Sequence, residues 1–185
     1  MADNYRAAAD CYRPKPVRVL FIAESPPAYL SESKKAYFFF KENPGSDLLF
    51  ATIIQAVLKI KYTKRGKVSK DHLLRCFKEK GYWLMDAVEN PINKNKNGQK
   101  TSDKERKKCI EKGISNLLER IALLHAENGG TDIKIVLIKN LVYDCLSEPL
   151  RQAGYYVPQG GPIGFPRWYG DRATIKGIGK VIDKK

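Results

Sequence analysis

Three short clusters in this 185-residue chain carry side chains able to handle a flat, polar ligand. The first is Glu24-Ser25-Pro26-Pro27, with Phe38 about a dozen residues on. The second is Asp86, with Glu89 and Asn90 close behind, and the third is the loop Gly160-Gly161-Pro162-Ile163-Gly164-Phe165-Pro166-Arg167-Trp168-Tyr169. A carboxylate beside an aromatic ring can hydrogen-bond the edge of a heterocycle while the ring stacks on its face, a pairing suited to a base extruded from a nucleic-acid stack. Taken singly, Glu24 or Asp86 could equally cap a helix or pair with a lysine. Phe38 alone fits a core position better than a stacking one. The base-binding reading requires all three clusters to meet.

A parallel sheet would bring them together. Residues 1–16 form an N-terminal lead-in: the first dozen are polar and alanine-rich, and Pro14 and Pro16 then predict an extended approach to the first strand. Residues 17–22 have strand length and composition; this strand ends at Ala23 or Glu24, where Pro26-Pro27 turns the chain. Ser46 or Asp47 can cap a buried helix running to about residue 60, and a basic amphipathic helix over 69–80 is closed by Gly81. A second strand is predicted over 82–88, broken at Asn90-Pro91. Beyond the polar loop 93–101, Ser102 and Glu105 form a capping box. One long helix follows, with Ile110, Ile114, Leu117, Leu118, Ile121 and Leu124 on a single stripe. Asn128-Gly129-Gly130 ends it, and 133–138 reads as a third, fully buried strand. Asn140 caps a helix that Pro149 must kink or restart, a short fourth strand lies near 155–157, and a basic helix closes the chain. This alternation predicts one α/β domain over 1–185, a three-layer sandwich with a central, mostly parallel four-stranded sheet flanked by helices. Each cluster then lies at or just past the carboxyl end of a strand, where open α/β sheets bind ligands.

Charge sharpens the class of partner. Against 20 Asp and Glu stand 34 Lys and Arg, a formal net charge of +14. Residues 59–80, 93–112 and 167–185 carry nets of +7, +5 and +4, so the rest of the chain is nearly neutral. Three basic segments on a neutral body form an electrostatic footprint for DNA, or for single-stranded nucleic acid or RNA. Solvated lysine faces that merely keep the protein soluble are the plainer alternative. The apolar runs 133–138 and 48–58 fall short of the roughly 18 residues a membrane span needs, and the N-terminus has no signal-peptide core. A cytoplasmic monomer without a membrane partner is expected. The four cysteines, Cys11, Cys76, Cys109 and Cys145, have neither disulfide-framework nor zinc spacing and read as reduced, mostly buried thiols.

These motifs resemble the uracil-DNA glycosylase superfamily. Members of that family open with a strand running into Gly-Gln-Asp-Pro or Gly-Glu-Ala-Pro-Gly, which here reads Ala23-Glu24-Ser25-Pro26-Pro27. The family's base-stacking Phe follows at a comparable interval and picks out Phe38. Its second strand, Leu-Leu-Leu-Asn-Ala-Val or Ile-Thr-Asn-Val-Val, carries an Asn that reads the base edge; here Trp83-Leu84-Met85-Asp86-Ala87-Val88 puts Asp86 in that place. The closing family loop, His-Pro-Ser-Pro-Leu-Ser, falls on Gly161-Pro162-Ile163-Gly164-Phe165-Pro166. The similarity spans about residues 17–182. It implies a DNA glycosylase that hydrolyses the N-glycosidic bond of a flipped, deaminated base of the uracil or hypoxanthine type, in base-excision repair.

The departures matter as much as the match. Ser25 stands where one branch has a water-activating Asp, and the closing loop has no His; His72 and His125 both fall on predicted helices. A branch with an iron–sulfur cluster uses four Cys, but Asn90 occupies one such position and Cys11 has no close partner, so no cluster, no metal and no other cofactor is expected. Glu24 is the candidate to orient or deprotonate the water, with Ser25, Pro26 and Phe38 around the base. Asp86 would read the Watson–Crick edge, or act as the base itself. An ionised Asp accepts but cannot donate to a carbonyl unless its pKa is raised. Phe165, with Arg167 and Trp168 as alternates, could wedge into the gap a flipped base leaves, or pack the loop onto the core. Lys61, Lys64, Arg65, Lys94, Lys96, Arg172 and Lys176 are candidate phosphate contacts. The competing reading is a non-catalytic DNA- or RNA-binding protein on the same fold.

Overall fold

The computed structural model describes residues 2–28, 36–42, 47–63, 66–95 and 97–184. Its centre is β1 (Val19–Ala23), whose five residues Val-Leu-Phe-Ile-Ala are all buried. Such a strand suits the middle of a parallel sheet covered on both faces. It pairs in parallel with β2 (Tyr82–Asp86) on one side and β3 (Lys134–Leu137) on the other, giving the order β2-β1-β3.

Between β1 and β2 run α2 (Leu48–Leu58) and α3 (Lys70–Glu79), after an N-terminal α1 (Ala2–Cys11). Between β2 and β3 run α4 (Asp103–Lys112) and α5 (Ile114–Glu127); α6 (Asn140–Gln152) and α7 (Arg172–Ile182) follow. Because the two crossovers leave in opposite directions across the sheet and each must be right-handed, their helices cover opposite faces. Accordingly α2 packs on α3 and α7, while α4 packs on α5 and α6. The chain thus leaves β1 toward one face and leaves both neighbouring strands toward the other. That divergence opens a crevice beyond the carboxyl end of β1.

The sheet among the described residues has three strands, not the expected four. Residues 155–157 do run beside β3, where Ile135 N–H donates to Tyr156 O at 2.9 Å. Pro158 has no N–H to continue the ladder, and the side chain of the next residue takes over. Gln159 Nε2 donates to Leu137 O at 3.0 Å while its Oε1 accepts from Leu137 N–H. Backbone pairing resumes where Lys139 N–H donates to Ile163 O at 2.7 Å.

Two further expectations change, and one helix is added. The polar, alanine-rich start of the chain, for which the sequence predicts no element, forms α1, which buries Tyr5 and Ala9, with Tyr12 buried just past its end. The single long helix after Ser102 is two, divided at Gly113, although the capping box at Ser102 and Glu105 is present. α6 passes through Pro149 without restarting. Of the cysteines, all free, only Cys145 is buried; Cys11 and Cys109 are exposed and Cys76 is half-buried. No helix among the described residues is long and apolar enough to cross a membrane.

Candidate functional site

The pairing of β1 with β2 continues past both strands, through Ala87 N–H to Ala23 O at 2.8 Å and Val88 N–H to Glu24 O at 3.1 Å. These two bonds hold the ends of the strands side by side, with Ala23 in register with Asp86. Arg120 on α5 closes the edge by donating from Nη2 to the carbonyls of Asp86 and Ala87, both at 3.0 Å. The result is a cleft of about 610 Å³ lined by Glu24, Ser25, Phe38, Asp86, Lys94 and Phe165, together with Tyr37, Lys100, Arg106 and Lys139. The three sequence clusters therefore meet.

Glu24 lies at the floor. Its Oε1 and Oε2 accept from Arg106 Nη1 at 2.9 and 3.0 Å, and Oε2 also accepts from Lys139 Nζ at 2.6 Å. The capping box explains the first partner: it starts α4 so that buried Arg106, one turn in, also bonds Asp103 and faces β1. A carboxylate has about four acceptor positions, and these cations occupy three of Glu24's. Arg106 Nε has no hydrogen-bond partner.

Asp86 is half-buried, and Tyr37 donates its hydroxyl to Oδ2 at 3.3 Å. Burial pushes the Asp86 carboxyl up to about 7, with the Glu24 charge adding to the rise and the Tyr37 hydroxyl and Arg120 opposing it. Near neutrality this carboxyl is present in both forms, and the protonated one offers a donor and an acceptor side by side. Tyr37 is itself fixed from behind. Buried Lys70 donates to Tyr37 O at 2.8 Å and to Asp47 Oδ2 at 2.6 Å, with its ammonium 4.5 Å from the centre of the Phe50 ring. Burial lowers the Lys70 pKa against the pull of Asp47. Asp47 in turn caps α2 by accepting from Phe50 N–H at 3.0 Å.

Other expected residues fall elsewhere. Pro26 is buried and lines a second crevice, of about 340 Å³, behind Tyr37 and Asp86; Pro27 lines the cleft in its place. Glu89 and Asn90 also face that second crevice. Phe38 borders the cleft but is only 3% exposed, its ring within 5.3 Å of those of Phe39, Phe50 and Phe77, so it is chiefly a core residue. The Ser25 hydroxyl serves the turn, donating to Pro26 O at 3.2 Å and accepting from Ile92 N–H at 3.4 Å.

At the rim, Phe165 is 47% exposed and borders both the cleft and an adjoining groove with Arg167, Trp168 and Arg172. Trp168 and Tyr169 are exposed as well. Tyr169 nonetheless ties the loop to the start of α2, its hydroxyl accepting from Asp47 N–H at 3.2 Å. Lys94 pairs with Lys100 in a small antiparallel bridge that sets both lysines at the cleft. Lys61 and Lys176 are exposed but line neither cavity, and Lys64, Arg65 and Lys96 lie outside the described residues. His72 is exposed on α3, 3.6 Å from Cys76 Sγ, and half-buried His125 is in the last turn of α5. No group of three or more His, Cys, Asp or Glu among the described residues could hold a metal ion.

Compared with the known protein families, the curated proteins and the solved structures, the chain matches none. What the site can do must therefore be read from its own residues. Sequence reasoning missed Tyr37, Arg106 and Lys139. For Lys139 the signal was present: it is the charged residue directly after the apolar run 135–138, as Glu24 is after the apolar run of its strand.

Proposed function

We propose that the cleft binds a nucleobase flipped out of DNA and that the protein is a DNA glycosylase, a divergent relative of the uracil-DNA glycosylases. The observation that carries this reading is the meeting of Glu24, Asp86 and the Phe165 loop at one cleft at the carboxyl ends of adjacent parallel strands. A protonated Asp86 can donate to a ring carbonyl and accept from the neighbouring ring N–H. That is the pattern needed for the imide edge of uracil, or the lactam edge of hypoxanthine. Glu24 keeps one acceptor position free to orient a water, and its charge opposes the positive charge that develops on the sugar as the bond breaks. Lys94 and Lys100 at the mouth, and Arg167 and Arg172 beside Phe165, suit the phosphates flanking the flipped nucleotide.

One observation favours the second reading, a binding module without chemistry: both oxygens of Glu24 are engaged by cations. That ion pair lies inside the cleft, where it is also able to meet a ligand. Labelled oligonucleotides carrying uracil, hypoxanthine, xanthine or a G·T mismatch, incubated at low salt and treated with alkali, separate the two. Strand breaks at one modified base support the glycosylase; salt-sensitive binding with no breaks supports the module.

A further inference from the structure

We infer that Lys139 is the catalytic cation of this site, its ammonium stabilising the negative charge that collects on the departing base. The inference rests on the glycosylase reading. β1 and β3 are in register with Ile22 opposite Leu137, and two more residues along the same pairing bring Glu24 beside Lys139. Its Nζ lies 2.6 Å from Glu24 Oε2, and its side chain is 25% exposed where it lines the cleft. An ammonium has three N–H donors. Glu24 is its one hydrogen-bond acceptor among the described residues, which leaves two donors for a ligand.

The backbone at Lys139 has φ 90° and ψ 138°, a region where a side chain is strained and glycine is at ease. Its N–H donates to Ile163 O at 2.7 Å, and its carbonyl accepts from Tyr143 N–H at 3.0 Å as α6 begins. Glycine would keep both bonds with less strain. What lysine adds at this point is an ammonium in the cleft. Neither histidine lines that cleft, and the Nη groups of Arg106 are held by Glu24 and Asp103.

Lys139 follows Glu24 across the β1–β3 pairing, Asp86 is in register with Ala23 just before Glu24, and all three side chains line the one cleft. A base held by its edge at Asp86 presents its glycosidic side toward Glu24 and Lys139. When the C1′–N bond breaks, its electron pair leaves with the base, and the charge spreads onto the base's ring atoms nearest that nitrogen. Water supplies hydroxyl to C1′, and its proton neutralises the base. The ammonium donates a charge-assisted hydrogen bond to the leaving base and keeps its own proton throughout.

Single-turnover excision on the oligonucleotide that the wild type cleaves tests this, using Lys139→Met, Lys139→Arg and Lys139→Gly. Loss of one such donor slows chemistry by about 10²–10³-fold. That loss is expected for Met and for Gly, with a much smaller loss for Arg and little change in affinity for abasic product DNA. The glycine variant suits the local backbone, so an unchanged circular dichroism spectrum with lost activity separates chemistry from folding. Excision by the wild type that persists within threefold in Lys139→Met and Lys139→Gly overturns this inference alone. Borohydride trapping of a covalent adduct on Lys139 overturns it too, because the amine then attacks C1′. No excision by the wild type on any base overturns it together with the glycosylase reading.

Discussion

Tyr37 Oη donates to Asp86 Oδ2 at 3.3 Å across the wall that separates the cleft from the second crevice behind it. This hydrogen bond favours the ionised carboxylate, whereas burial and the charge of Glu24 favour the protonated one, and burial prevails at about 7. The balance determines which edge of a base Asp86 can read.

Excision should therefore depend on pH through Asp86. The donor form is present below about 7 and is lost as pH rises through that value, so single-turnover excision of a base with a ring carbonyl falls on the alkaline side. Asp86→Asn keeps a donor and an acceptor at every pH and should abolish this alkaline fall. Stability follows the same sign. The folded pKa lies above the ordinary 3.8, so the contribution of Asp86 is complete below that value and is lost as pH rises to about 7. In urea denaturation, Asp86→Asn should gain stability relative to wild type at pH 8 and little at pH 4.

Tyr37→Phe removes one of the contacts that hold Asp86 ionised. The alkaline limb of the excision profile should move to higher pH, and a profile that stays in place would show that Tyr37 does not act on Asp86.

Lys70 and Asp47 form a buried ion pair that ties α2, α3 and the Tyr37 backbone together. Removing one member of a buried pair typically costs about 3–5 kcal/mol, because the other charge is left without its partner. Lys70→Ala should lower unfolding stability by roughly that amount, whereas Asp47→Asn with Lys70→Met should lose less than the sum of the single changes. Additive losses would mean that the two groups do not interact.

Much of this architecture is legible in the sequence because the signals are local. The caps at Asp47 and Ser102, the apolar run of β3 and the Pro26-Pro27 stop each act within a few residues. The fourth strand was not legible, because Gln159 replaces a backbone ladder with a side chain, a substitution that propensity does not register. Nor was the break at Gly113, where the apolar stripe continues from α4 into α5. Within the site, strand-end position found Glu24 and Asp86. Arg106 was illegible because only the folded chain shows that a residue 82 positions away from Glu24 is its partner. The sequence leaves Phe38 open between core and stacking because a run of four aromatics does not reveal which of them face the core; its ring packs in the core and borders the cleft.

The Gly113 break offers a stability test. An added Cβ would sit 3.4 Å from Cys109 O and Ile110 O, and the residue has φ −86°, open to any side chain. Gly113→Ala should raise stability by about 0.5–1 kcal/mol, chiefly by restricting the unfolded chain, as read from a shift in denaturation midpoint.

Excision of a modified base by wild type, Asp86→Asn, Asp86→Ala and Glu24→Ala, measured side by side at pH 6 on one duplex panel, tests the proposed activity most directly. A glycosylase releases one base with wild type and Asp86→Asn, while Asp86→Ala and Glu24→Ala bind the duplex but leave it intact. Equal excision by all four proteins, or none by the wild type on any substrate, contradicts the assignment of this cleft as a glycosylase site.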